Sequence, residues 1–296
     1  MGERLREVRT GDGRRLGVAQ WGDLAGVAVF SLHGTPGSRL ARPPDEDAVR
    51  RMGVRLVTYD RPGYGMSDRH PGRRVVDCVP DVEAIADALA IDRFYVTGGS
   101  GGGPHALAVA ARLADRVIRA RCLVGVAPLD AAGLDFFAGM DPENVKEFGW
   151  ARQGEQVLHR ELTRLAAEDL ERIAVDPSKL LSDDWQLDPA DRAVMARPDV
   201  QQVFGEMVRD AYRHGVWGWV DDDLAFLQPW GFELGEVTVP TEVRYGAKDV
   251  LVPAAHGAWL AEHVPGAQVH VEPEAGHLAD PEKVLELLRS LVSPDG

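Results

Sequence analysis

The stretch Phe94-Tyr95-Val96-Thr97-Gly98-Gly99-Ser100-Gly101-Gly102-Gly103-Pro104-His105 constrains this chain more than any other. Aromatic and β-branched residues lead in, five of the six positions 98–103 are glycine, and an alanine-rich segment over 106–113 leads out. The pattern reads as a strand that turns sharply into a helix. Such a turn presses backbone on backbone at Gly98 and Gly102, where a Cβ would clash, and it holds Ser100 strained with its hydroxyl exposed. The G-x-S-x-G spacing places a serine where it can act as a nucleophile. A glycine-rich loop before a helix can also cradle phosphate, but no Lys-Ser or Lys-Thr follows these glycines.

Around this turn the chain alternates. Residues 14–21, 27–32 and 55–59 read as strands and 45–52 and 76–89 as helices, the second with Val79, Val82, Ile85, Ala86 and Leu89 on one face. A further strand is expected at 121–127. The rhythm then stops, and helices are expected at 156–173 and 200–212, each with an apolar stripe. It resumes with strand 241–245, helix 254–263, strand 267–271 and helix 281–291. Such alternation predicts an α/β fold with a mostly parallel, doubly wound sheet and ligands at the strand C-terminal ends. The expected division is a core over residues 1–128 and 236–296 and an inserted helical cap over 129–235.

Five unusual segments follow the strands: His33-Gly34-Thr35-Pro36, Asp60-Arg61-Pro62-Gly63-Tyr64-Gly65-x-Ser67-Asp68, the Ser100 turn, Gly246-x-x-Asp249 and Gly276-His277. The 28 positions from Asp249 to His277 fit one helix plus one strand. In these motifs the chain resembles the α/β-hydrolase superfamily, in its capped H-G-x-P branch of esterases and proline iminopeptidase-like enzymes. The resemblance implies a nucleophile at Ser100, a base at His277 and an acid at Asp249 that orients the imidazole. It also implies an oxyanion hole from the backbone N–H groups of Thr35 and Gly101, so the Thr35 side chain is expected to matter little. Asp130, just past the expected strand 121–127, holds the position some relatives use for the acid; Asp249 is preferred because the motif sits on it. A serine at position 100 counts against the aspartate-based chemistry of epoxide hydrolases and haloalkane dehalogenases. Gly101 reads either as a tight turn or, with Gly102 and Gly103, as an open acyl pocket. His33, His105, Asp60, Arg61 and Asp68 are expected to be structural.

A net charge of −14 argues against nucleic acid or an anionic membrane as partner. Residues 1–15 are charged without an apolar leader, so a cytoplasmic location is expected. Cys78 and Cys122 read as packed thiols, and neither metal nor cofactor is expected. From 128 to 235 there are 22 acidic against 10 basic side chains, which is −12 of the total, with five of seven tryptophans and six of eight phenylalanines. These aromatics line a cleft for a hydrophobic, neutral or cationic small molecule, or form the cap's own core beneath solvated acids; both readings stay open. Trp217 and Trp219 are taken as substrate-binding, and Asp221-Asp222-Asp223 as reaching the cleft rim or starting a helix. The expected activity is hydrolysis of small to medium hydrophobic carboxylic esters through an acyl-Ser100 intermediate. Peptidase action of the proline iminopeptidase kind and C–C bond hydrolysis on the same triad are the enzymatic alternatives, and a ligand-binding receptor of the same fold is the non-enzymatic one.

Overall fold

Strand sequences separated by helices pair into one eight-stranded sheet in a computed structural model that describes residues 5–176 and 185–293. Residues 1–4 of the charged N-terminal stretch and 177–184 of the expected cap lie outside the described residues. The strands are β1 Arg6–Arg9, β2 Arg15–Gly22, β3 Val27–Leu32, β4 Val54–Tyr59, β5 Phe94–Gly99, β6 Val117–Leu123, β7 Thr241–Gly246 and β8 Gln268–Glu272. They lie in the order β1-β2-β4-β3-β5-β6-β7-β8, antiparallel at β1·β2 and β2·β4 and parallel elsewhere. The helices are α1 Glu46–Arg51, α2 Val79–Ala88, α3 Gly102–Arg112, α4 Pro142–Arg152, α5 Glu155–Val175, α6 Pro189–Met195, α7 Pro198–Ala211, α8 Trp217–Phe226, α9 Ala254–His263 and α10 Pro281–Val292.

On one face of β5 the apolar residues are fully buried: Phe94 and Val96 have no exposed surface, and Phe94 packs on Phe30 of β3 with ring centroids 4.6 Å apart. The following α3 is buried from Gly102 to Ala110, where the small residues Ala106, Ala108 and Ala110 permit close approach to the sheet. Between β6 and β7 the five helices α4 to α8 form a block with a core of its own. Leu158, Leu162 and Ile173 of α5 meet Met207 and Val208 of α7 and Trp219 and Val220 of α8 there, with Tyr64 from the loop after β4. Phe136, Phe148, Phe226, Trp230 and Phe232 join the main core instead. The aromatics of this region thus divide between two interiors.

Three departures from the sequence pattern have local causes. The strand expected at 121–127 is β6, four residues earlier, because the chain leaves the sheet at Val124, whose φ is +44°. The edge strand β1 has a single buried residue, Val8, and so carries no alternation to read. Helix α8 has no polar face, since Asp221, Asp222 and Asp223 are all buried, and its period was therefore masked. Cys78 and Cys122 are buried free thiols. Among the described residues no helix is long and apolar enough to cross a membrane.

The Ser100 turn is built as its glycines require. Ser100 has φ +53°, its N–H donates to Leu123 O at 2.9 Å, and its carbonyl accepts from Gly103 N at 2.9 Å. A Cβ on Gly98 would overlap the Gly102 carbonyl, whereas one on Gly99 meets nothing within 4 Å. Gly98→Ala should therefore lower the unfolding free energy by about 2 kcal/mol or more, and Gly99→Ala by under about 1 kcal/mol, in urea melts followed by circular dichroism.

Candidate active site

Parallel strands deliver their following loops to one edge of the sheet, and three of those loops carry Ser100, Asp249 and His277. Ser100 follows β5, Asp249 lies three residues past β7, and His277 follows β8 after a short turn. Asp249 is held from two sides. Its Oδ1 accepts the N–H groups of Leu251 and Val252, both at 2.9 Å, and its Oδ2 lies 2.7 Å from His277 Nδ1. The two loops are laced by backbone bonds from Ala247 N to Glu272 O and from Lys248 N to Ala275 O, both 3.0 Å. Gly246 is required here because a Cβ would overlap the carbonyls of Ala275 and Gly276. With Nδ1 donating to a carboxylate, His277 keeps Nε2 as the free acceptor. Burial pushes its pKa down, but the charge and hydrogen bond of Asp249, with the charge of Asp191, outweigh that and leave it above the ordinary 6.5. The described hydrogen bonds do not include one from Ser100 Oγ to His277, a bond that is often long without substrate. Asp130 lies seven residues past the end of β6, exposed, and the carboxylate that meets His277 is that of Asp249.

The His33 to Gly37 turn lies against the serine, with the Cβ position of Gly34 only 3.5 Å from that of Ser100. Its orientation is fixed from behind by Arg61. The guanidinium donates to the carbonyls of His33 and Gly34, the latter at 2.9 Å, and its backbone N–H donates to His33 Nε2 at 3.1 Å. His33 is thereby the Nδ1–H tautomer, and it donates to Gly34 O at 2.7 Å. Burial, with the charge of Arg61, holds its pKa well below 6.5, so it is neutral. In a trans peptide the N–H points opposite to the carbonyl. With Gly34 O anchored toward Arg61, the Thr35 N–H faces the other way; with Ser100 O anchored to Gly103 N, so does the Gly101 N–H. Neither N–H has a hydrogen-bond partner among the described residues. Two free, fixed donors beside a serine are what a developing oxyanion needs.

Behind Arg61 lies a carboxylate from α8. Asp222, fully buried, receives Arg61 at 2.6 Å, Arg73 at 2.7 Å, the Tyr64 hydroxyl at 2.9 Å and the Thr35 hydroxyl at 2.7 Å. Burial opposes its ionisation, but Arg61 and Arg73 prevail and hold it well below the usual carboxylate range. This corrects two sequence readings. The run Asp221 to Asp223 lies in the middle of a buried helix, away from any solvated rim or helix start: Asp221 pairs with Arg69 at 2.8 Å, and Asp223 adjoins Glu147. The Thr35 side chain, expected to be idle, both donates to Asp222 and accepts from Arg61 at 3.1 Å. The structure also decides between the two readings of Gly101, in favour of the tight turn. A Cβ there would overlap Thr35 Oγ1 and stand 3.0 Å from Phe226 Cζ, so the missing side chain makes room for these neighbours and opens no acyl pocket. Gly102 and Gly103 are likewise buried, against the Leu32 and His33 carbonyls and against Cys122 Sγ.

Comparison with known proteins agrees with the fold. The family described as alpha/beta hydrolase fold matches residues 27–283. The chain belongs to that family. A 2-hydroxy-6-oxo-6-phenylhexa-2,4-dienoate hydrolase of Comamonas testosteroni is 30% identical over 278 residues, covering 89% of this chain and 86% of that protein. A 2-hydroxy-6-oxononadienedioate/2-hydroxy-6-oxononatrienedioate hydrolase of Cupriavidus pinatubonensis is 26% identical over 242 residues, 81% of this chain and 75% of that one. Among solved structures, a hydrolase of Pseudomonas aeruginosa PA01 superposes with a TM-score of 0.70 at 22% identity, covering 98% of each chain.

In this α/β hydrolase the two tryptophans expected at the substrate are placed differently from one another. Trp219 is buried in the helical block, stacked on Tyr212 at 5.8 Å, and its indole N–H donates to Glu147 at 2.7 Å. Trp217 has the Arg69 guanidinium 3.7 Å over its ring and His159 stacked at 3.9 Å. It lines a cavity of about 350 Å³ with Gly63, Met66, Asp68 and Arg213, and Ser100, Asp249 and His277 are not part of that lining. Glu147 and Asp223 share their site, and burial pushes Glu147 up to about 7 and Asp223 well above the usual carboxylate value. What sequence reasoning missed, namely the place of Asp222 behind the His33 to Gly37 turn and of Phe226 beside Gly101, leaves no local pattern to read. The expected consequence of the Asp222 cluster is measurable. The nearly isosteric Thr35→Val should cost about 1–3 kcal/mol by leaving Asp222 and Arg61 one partner short. Asp222→Asn should cost about 3–5 kcal/mol, both by urea unfolding.

Proposed function

We propose that this hydrolase works through Ser100 as nucleophile, His277 as proton carrier and Asp249 as the group that orients His277, and that it cleaves a carbon–carbon bond next to a ketone. The observation that carries the bond type is the activity named for the curated relatives that align along most of the chain. Ser100 Oγ adds to the ketone carbon while His277 Nε2 takes its proton, and the resulting oxyanion lies between the N–H groups of Thr35 and Gly101. The neighbouring carbon then gives up the bond with its pair, and the leaving fragment takes the proton from His277. That departure needs a ketone conjugated to the leaving carbon to take up the charge, which a 2-hydroxy-6-oxo dienoate supplies once its 2-enol has become a ketone with the proton moved to the carbon beside C6. Water activated by His277 hydrolyses the acyl-Ser100, and the balance is one ketone plus one water giving one carboxylic acid and one C–H product. Helices α4 to α8 act as a cap in this reading, supported by their contacts to the loops of Thr35 and His277.

Hydrolysis of a neutral carboxylic ester is the second reading, and one observation favours it. The arginines beside the oxyanion loop, Arg61 and Arg73, are both spent on Asp222, and the adjoining Glu147 and Asp223 are acids. A substrate carboxylate would find no unpaired cation in that cluster.

Purified protein supplied with 2-hydroxy-6-oxo-6-phenylhexa-2,4-dienoate should bleach its visible absorbance and release benzoate and 2-hydroxypenta-2,4-dienoate. The expected kcat/KM exceeds that for p-nitrophenyl butyrate by about tenfold or more, a difference of about 1.4 kcal/mol in transition-state binding. Ser100→Ala should lose about 10⁴-fold or more in kcat. A reversed preference sinks the C–C reading and promotes the ester one.

A further inference from the structure

Asp191, on the seven-residue α6, belongs to the helical block, yet its carboxylate ends in the loop that carries His277. Its Oδ2 accepts the His277 N–H at 2.9 Å and its Oδ1 the Leu278 N–H at 2.8 Å, and the residue has no exposed surface. Two oxygens that both accept are the bonding of an ionised carboxylate. The loop is shaped to receive it: a Cβ on Gly276 would overlap the Asp191 carboxyl. We infer that Asp191 is a positioning residue for His277, fixing its backbone from the helical block and placing a second negative charge beside its imidazole. The inference rests on the reading of Ser100 and His277 as nucleophile and base.

Asp249 and Asp191 divide the work. Asp249 bonds the ring at Nδ1 and sets its tautomer, whereas Asp191 bonds the main chain and sets where the ring stands relative to Ser100. Misplacing a proton carrier by about 1 Å can cost about 10²-fold in rate, so backbone anchoring matters as much as ring orientation. The charged groups around His277 are few. Asp249 comes from the β7 loop and Asp191 from α6. Lys248 and Glu274 pair with each other at 2.6 Å on the exposed side of the same loops. Asp188 caps α6 through Ala190 N. The charge of Asp191 favours the imidazolium, and burial is the main influence that pushes the Asp191 carboxyl itself upward.

The test uses the rate at which a fluorophosphonate labels Ser100 as a function of pH, which needs no knowledge of the substrate. Asp191→Asn should slow labelling at the plateau by about tenfold and move the acid limb to lower pH, because the imidazolium loses a neighbouring charge. Gly276→Ala, which leaves no room for the carboxylate but keeps its charge nearby, should slow the plateau with a smaller movement of the limb. A urea melt checks folding, and Gly276→Ala carries the test alone if Asp191→Asn does not fold. Unchanged labelling, or slower labelling with an unmoved acid limb in Asp191→Asn, overturns the inference. Wild-type protein that does not label overturns the serine-hydrolase reading and this inference with it.

Discussion

One carboxylate, Asp222, is placed where no lone charge could survive, and the arrangement of the site depends on how it is neutralised. Arg61 and Arg73 meet it from the loops after β4 and before α2, and Tyr64 and Thr35 complete its bonding. Taking Asp222 away leaves two buried guanidiniums short of their counter-charge, which costs far more than the pairs themselves contribute. The same Arg61 carries the carbonyls of His33 and Gly34, so the electrostatic requirement of Asp222 becomes a geometric instruction to the Thr35 peptide. A second cluster works alongside it. Asp60 accepts the Arg39 N–H at 2.6 Å and its guanidinium at 2.8 Å, and Arg39 also pairs with Asp210 of α7. Burial pushes Asp60 up to about 6, with Arg39 working against it.

The parts of this protein that are visible in its sequence are those set by near neighbours along the chain. Backbone crowding demands glycine at 98 and 102, and strand rhythm locates the loops of Asp249 and His277, so each of these announces itself within a few residues. Asp222 does not, because its partners Thr35, Arg61 and Arg73 lie about 150 to 190 positions away and an acidic triplet ordinarily marks a solvated face. Asp191 is hidden for the same reason, since its partners are backbone N–H groups that any residue could supply. Gly101 is instructive in another way. The absence of a side chain was legible, but what fills the space, the Thr35 hydroxyl and the Phe226 ring, is decided by two distant segments. An empty position in a sequence need not be an empty place in a fold.

The placement of the Thr35 and Gly101 N–H groups shows how few interactions are needed to aim a peptide. Neither the Thr35 nor the Gly101 N–H is held directly; each is aimed because the carbonyl on the far side of its peptide plane is tied, one to Arg61 and His33, the other to the first turn of α3. Donors fixed in this way stay unpaired and ready, and they need not reorganise when negative charge arrives.

Among the described residues the helices between β6 and β7 reach the loops at the strand ends through several acids, among them Asp222 to Thr35 and Arg61, Asp210 to Arg39 and Asp191 to the loop of His277. An insertion bonded in this manner is not an interchangeable module. A chimera that exchanged these helices for those of another hydrolase would keep the serine, the histidine and their strands while taking Asp222 from Arg61 and Arg73 and one of its carboxylates from Arg39. A substitution at Asp222 or Asp210 is therefore tied to the arginines it meets, and the two sides must change together to keep the buried charge balanced.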